Sequence, residues 1–166
     1  MIHDASTFGR DVTLDADLCV VGSGAGGAMA AMVAAEAGLR VVVLEAGAFM
    51  APEYMTQREE QMFPQLLVDA GGQTTRDRAV KIHQGKGVGG STLHNLNLCK
   101  RVSLPVLAAW RAERGLSTLT DARWADLYGR VEAMLEVSDV PESLWNRHNR
   151  LLRDGASALG WAWAGA

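Results

Sequence analysis

Cysteine is scarce in this chain. Only Cys19 and Cys99 occur among 166 residues, and they stand far apart. Two isolated thiols do not make a disulfide framework and point to a reducing, cytoplasmic setting. Long apolar runs are also lacking, since no stretch approaches the ~20 residues that a membrane-spanning helix requires. Residues 1–17 carry neither a basic start nor an apolar core, so no secretory signal is expected there. Lys and Arg are scattered and the net charge is −3, which supplies no electrostatic footprint for nucleic acid or an anionic membrane. There is no metal-ligand cluster, no Ser/His/Asp arrangement at a recognisable spacing, no internal repeat and no low-complexity run. What remains is a chain with 48% hydrophobic residues, long enough for one domain with a sizeable core.

Glycine, by contrast, is clustered. Leu18 to Val21 is a short apolar run with β-branched residues, the pattern of a strand buried on both faces. It leads directly into Gly22-Ser23-Gly24-Ala25-Gly26-Gly27, which satisfies G-x-G-x-x-G. An Ala/Met-rich helix is expected from about Ala25 to Ala37, with Gly38 placed as its C-terminal cap. Arg40 to Leu44 is a second buried-strand run and ends on Glu45. Strand, turn, helix and strand together form the α/β context in which this motif binds a dinucleotide. Gly22 permits the tight turn, Gly24 lets backbone approach a pyrophosphate, and Gly27 lets the helix pack closely on the strand. The N–H groups and positive dipole end at the helix start stabilise phosphate. Glu45, at the tip of the second strand, can accept from ribose hydroxyls and would repel a 2′-phosphate, which disfavours NADP.

Further along, residues 53–69 can hold a short helix broken at Pro64, Gly71-Gly72 reads as a turn, and Asp77 to Gln84 alternates weakly like one strand of a hairpin. A second glycine cluster follows: Gly85-Lys86-Gly87-Val88-Gly89-Gly90-Ser91-Thr92-Leu93-His94-Asn95-Leu96-Asn97-Leu98. Such a backbone can lie against a flat or charged ligand, with Ser91, His94 and Asn95 adding polar groups. By itself it is equally a plain glycine-rich loop. The remainder is helical in pattern: Leu104 to Arg114, then Asp121 to Val137 with a core-facing stripe of Trp124, Leu127, Tyr128, Val131, Met134 and Leu135, then a helix after Pro141. Trp161 and Trp163 end the chain on an apolar segment that is expected to meet a covering surface.

The two motifs in this order, Gly22–Gly27 with Leu44-Glu45-Ala46-Gly47 and then Gly85-Lys86-Gly87-Val88-Gly89-Gly90-Ser91-Thr92-x-His94-Asn95, resemble the glucose–methanol–choline (GMC) family of FAD-dependent oxidoreductases. The likeness is firm over residues 15–100 and looser beyond, and it departs from the usual signature at His94, Cys99 and Val102. It implies a Rossmann-like βαβ FAD-binding unit, incomplete by itself, over residues 1–103, and a helical segment over 104–166 that leads toward a substrate domain. FAD is the implied cofactor. Its binding set is Gly22, Ser23, Gly24, Ala25, Gly26, Gly27, Glu45, Ala46, Gly87, Gly89, Gly90, Ser91, His94, Asn95, Leu96 and Leu98. Within it Ser91, Asn95 and the backbone of Leu96 and Leu98 lie along pyrophosphate and flavin. In some members a histidine at the place of His94 is bonded to the flavin 8α carbon, so covalent attachment is one expectation for His94.

The implied activity is oxidation of an alcohol to a carbonyl. The family's base, a histidine paired with a second histidine or an asparagine, belongs to a later region. None of His3, His83, His94 or His148 matches it, so no catalytic residue is assigned. The expectation is therefore a second polypeptide, either a separate subunit or the missing C-terminal part, that supplies the remaining strands, the substrate domain and the catalytic pair. Two alternatives stand beside this: a non-catalytic flavin- or nucleotide-binding module, and an NAD-dependent dehydrogenase unit.

Overall fold

The structure is a computed structural model and describes residues 2–94 and 98–163. It divides into two compact units, Met1–Leu96 and Asn97–Ala166.

The first unit is built on two strands, β1 (Leu18–Val21) and β2 (Val41–Leu44), joined by helix α1 (Ala25–Glu36). The strands pair in parallel with Leu18 opposite Val41 and Val21 opposite Leu44. A parallel pair cannot be closed by a tight turn and needs a crossover, which the alanine-rich α1 provides. The helix ends as the glycine predicts. Gly38, at φ +85°, donates to the Ala35 carbonyl (2.9 Å), and Leu39 donates to Ala34 (3.1 Å). That pair of bonds is the Schellman arrangement, which satisfies carbonyls the helix would otherwise leave open. The return into β2 is fixed by Asp17, whose carboxylate accepts from the Arg40 backbone N–H (2.9 Å) and from its guanidinium (2.8 and 3.1 Å).

One expectation is overturned: neither strand is buried on both faces. Leu18 and Val20 are half-buried, but Cys19 is exposed, Val21 is 84% exposed and Leu44 53%. Alternate side chains of a strand point to opposite faces. Helix α1 lies against Val20, through Gly27, and among the described residues the other face has no cover.

Helix α2 (Glu59–Leu66) follows, and here too the expectation needs correcting, because Pro64 lies inside it instead of ending it. Proline removes only the N–H that would bond Glu60, and the helix stops within a turn anyway. Burial of Met62 and Leu66 and the bond from Leu67 N–H to the Phe63 carbonyl (3.0 Å) hold that last turn together. Among the described residues of this unit, Met62, Leu66 and Leu67 form the buried apolar core. Beyond them the chain forms an irregular hairpin. Val68 N–H donates to Gln84 (2.9 Å) and Lys86 N–H to Leu66 (2.7 Å), while Ile82 and Thr75 bond Gln73 and Val80 (both 2.9 Å). The hairpin expected around residues 77–84 is thus present, with isolated bridges in place of a regular strand.

The second unit contains α3 (Leu104–Arg114), α4 (Asp121–Met134) and α5 (Arg147–Ala158). Pro105 sits in the first turn of α3, where its missing N–H costs nothing, and Gly115 ends the helix at φ +64°. Thr120 and Asn146 cap α4 and α5 by accepting from the N–H of Arg123 (3.2 Å) and Asn149 (2.9 Å). Leu107, 2% exposed, is the packed centre, beside the ring series Trp110–Trp124–Tyr128. The expected stripe on α4 holds for Trp124, Leu127, Tyr128 and Val131, which are half-buried, but Met134 and Leu135 are exposed. Trp163 packs edge-on against Trp145 (6.0 Å), and the Arg153 guanidinium lies over both rings. Trp161 remains 67% exposed. No helix among the described residues is long and apolar enough to cross a membrane.

Candidate functional site

The site gathers where β1 turns into α1. Gly22, at φ +95°, makes the reversal, and its N–H donates to the Leu44 carbonyl (2.7 Å), so the strand pairing continues up to the turn. Backbone N–H groups at the start of α1 face outward from Gly24, which caps the helix without a side-chain bond, and the first turn carries no acidic residue. A helix start whose first N–H groups lack a side-chain cap favours an anion. A Cβ added at Gly24 or Gly26 would meet nothing within 4 Å, so a ligand can lie directly on this backbone. Gly27 differs: a Cβ there would stand 2.0 Å from the Gly22 carbonyl oxygen and 3.2 Å from Val20, which is the close packing of helix on strand.

The second glycine cluster docks onto the first. A Cβ on Gly90 would lie 2.9 Å from Gly24 Cα and one on Gly47 would lie 2.2 Å from Gly87 N, while within the second cluster itself one on Gly85 would lie 2.4 Å from the Gly90 oxygen. Val88 N–H donates to the Ala48 carbonyl (3.2 Å). The two loops therefore touch backbone to backbone, a proximity that side chains would forbid. Gly47 and Gly85 stand within the two motifs but outside the expected binding set, because adjacency in the chain does not reveal which backbones meet.

Glu45 is half-buried and turned onto its own loop. Oε2 accepts from the Ser23 N–H (2.9 Å) and from the Ser23 hydroxyl (2.7 Å), and Oε1 accepts from Gly47 N–H (2.9 Å). Burial raises the pKa of this carboxyl, but hydrogen bonds from the backbone of Ser23 and Gly47, the Ser23 hydroxyl and the backbone of Ala46 hold it below the usual carboxylate value. It is therefore ionised at neutral pH. Beside it a cleft of about 430 Å³ is lined by Ala46, Gly47, Gln65, Leu67, Asp69 and Lys86.

Ser91 is exposed, and its hydroxyl accepts from Gly85 N–H (2.9 Å). His94 is half-buried; its Nε2 is sealed from solvent and has no hydrogen-bond partner among the described residues. A buried ring nitrogen left alone is costly, so this position suits a polar group supplied from outside the chain. Gly87 is buried, and Gly89 and Gly90 are half-buried. Ala25 and Ala46 are exposed at the rim. Asn95 and Leu96 lie outside the described residues, and Leu98, 63% exposed, belongs to the second unit. Among the described residues no group of three or more His, Cys, Asp or Glu could hold a metal ion.

A parallel strand pair, its crossover helix, an open glycine turn and an acid at the end of the second strand define a Rossmann-like, dinucleotide-binding type of unit. A family model described as an NAD(P)-binding Rossmann-like domain matches residues 20–81, and one described as GMC oxidoreductase matches residues 63–165. The chain belongs to the GMC oxidoreductase family. It is 40% identical over 148 residues to an uncharacterised GMC-type oxidoreductase of Mycobacterium tuberculosis, a match covering 88% of this chain and 24% of the relative. An uncharacterised GMC-type oxidoreductase of Sinorhizobium fredii is 32% identical over 93% of this chain and 31% of its own. A long-chain-alcohol oxidase of Arabidopsis thaliana is 30% identical over 89% and 19%. The chain thus spans about a fifth to a third of the length of these relatives. No solved structure matches significantly.

Proposed function

We propose that this chain is the FAD-binding part of a GMC-type oxidoreductase that oxidises an alcohol to a carbonyl. The observation that carries this is the docking of the second glycine cluster on the first, backbone against backbone, around an uncapped helix start. The open backbone at Gly24 and Gly26, the ionised Glu45 and the solitary His94 Nε2 all fit a dinucleotide bearing a polar ring system. Gly22, Gly24 and Gly27, with the N–H groups of Ala25 and Gly26, would hold the pyrophosphate, and Glu45 the adenosine ribose. Ser91 and His94 would line the path to the flavin. When bound, the flavin supplies acceptance of the hydride from the alcohol carbon. This chain's residues bind, orient and neutralise charge, and none of its histidines is assigned as the base.

Relatives that include long-chain-alcohol oxidases support an alcohol as the substrate class. The uncovered faces of β1 and β2 support a further polypeptide that completes the sheet and carries the substrate domain and the catalytic pair. Free thiols at Cys19 and Cys99 favour the cytoplasm.

A native mass spectrum of the protein isolated from its own cell, repeated after denaturation, tests this. One FAD together with a second polypeptide is the expected result, and flavin that stays on this chain after denaturation would point to covalent attachment at His94. A chain that takes up NAD and no flavin would overturn the proposal in favour of a dehydrogenase unit. Flavin bound without alcohol-dependent reduction in the complete complex would leave a binding module.

A further inference from the structure

Ser23 lies at the first variable position of G-x-G-x-x-G, where many residue types serve the turn equally well. Here its hydroxyl has two partners. It donates to Glu45 Oε2 at 2.7 Å and accepts from Gly89 N–H at 3.0 Å. Those partners lie 22 and 66 residues away, one at the end of β2 and one in the second glycine cluster. The Ser23 N–H adds a second bond to the same Glu45 oxygen (2.9 Å). A hydroxyl is the smallest side-chain group that can donate and accept at once. Alanine at 23 would leave the Gly89 N–H and a Glu45 lone pair without their partners.

The peptide of Gly89 is gripped on its other side too, since its carbonyl accepts from the Thr92 hydroxyl (2.7 Å). Next to it, Gly90 is the residue whose backbone abuts Gly24. The bond from Ser23 to Gly89 thus sits at the seam where the two glycine loops meet. Around Glu45 the consequence is directional. Oε2 is taken up by Ser23, through both its hydroxyl and its N–H, while Oε1 takes a bond from Gly47 N–H.

Resting on the flavin proposal above, we propose that Ser23 is a positioning residue. Its hydroxyl latches the second glycine cluster onto the first and ties Glu45 Oε2 to the same seam. The cofactor then meets a floor that is assembled beforehand, so its binding does not bear the cost of ordering the second loop.

The test compares the full chain, expressed in its own host with whatever co-purifies, as wild type, Ser23→Ala and Ser23→Thr. The Gly89 amide is the direct reporter. In Ser23→Ala its hydrogen exchange should rise at least about tenfold, while amides within β1 and β2 stay unchanged. Titration with free FAD should show an affinity about tenfold weaker for Ser23→Ala. Ser23→Thr, which keeps the hydroxyl, should restore both. Unchanged exchange at Gly89 in Ser23→Ala overturns the latch. Faster exchange with unaltered FAD affinity, or no rescue by threonine, overturns the positioning role. A wild-type protein that binds no FAD while Gly89 still responds to Ser23→Ala marks failure of the flavin proposal and leaves the latch between the loops standing.

Discussion

Gly47→Ala places a methyl group where there is no room for one. The added Cβ would stand 2.2 Å from Gly87 N, 2.5 Å from Gly87 Cα and 2.6 Å from the Lys86 carbonyl carbon. Ordinary contact begins at 3.4 Å, so segment 86–87 must retreat by about 1.2 Å. All three obstacles are main-chain atoms, and no rotamer change can clear them. The retreat also strains the bond from Val88 N–H to the Ala48 carbonyl on the same seam. Overpacking of this kind costs about 1–3 kcal/mol, and an unyielding backbone puts it toward the upper end, about 2–3 kcal/mol. Urea unfolding of the full chain reads this as a lowered midpoint with an unchanged slope, a fall of about 1–1.5 M if the slope is the ~2 kcal/mol/M common for small proteins. A midpoint equal to or above wild type would refute the docking of the second glycine cluster on Gly47.

Gly26→Ala is the complementary case. Gly26 lies in α1 with nothing within 4 Å of the added Cβ, so stability should rise by about 0.5–1 kcal/mol, while FAD titration should show weaker binding because the methyl stands where phosphate approaches. The Glu45 carboxyl has a lowered pKa in the folded chain, so its stabilisation is fully present above the ordinary carboxylate value of 4.5 and is lost as pH falls through the lower folded value. Urea midpoints followed from neutral pH into acid should fall along that limb, and Glu45→Gln should make the limb shallower. An identical slope in the variant would deny Glu45 that role. In the second unit, Leu107→Ala should cost about 2–4 kcal/mol, because Leu107 is 2% exposed at the centre of the α3–α4 packing. Thermal unfolding monitored by tryptophan fluorescence checks this, and a cost under about 1 kcal/mol would mean that the site collapses around the missing side chain.

The parts of the fold legible in the sequence are those set by neighbours along the chain. β1, α1 and β2 form where apolar runs and alanines place them, and Gly38 ends α1 because the helix stop needs a residue at positive φ. Pro105 and Gly115 bracket α3 for similarly local reasons. Where the sequence misled, the deciding influence came from elsewhere in the chain. Pro64 in the sequence predicts a break, yet burial of Met62 and Leu66 carries α2 past it. The apolar runs of β1 and β2 predict burial on both faces, yet hydrophobicity records what a strand requires and does not supply the cover. Glu45 shows the difference most sharply. The motif identified it as an acid facing a ribose, and nothing in the spacing could show that one of its oxygens is already filled by Ser23. Ser23 in turn reaches Gly89, which lies 66 residues away in a loop that read by itself as an ordinary glycine-rich connection. A motif read along one dimension reports which backbone must stay open to a ligand. Which side chain fastens that backbone to the next loop depends on where the chain returns, and here a single hydroxyl makes that connection.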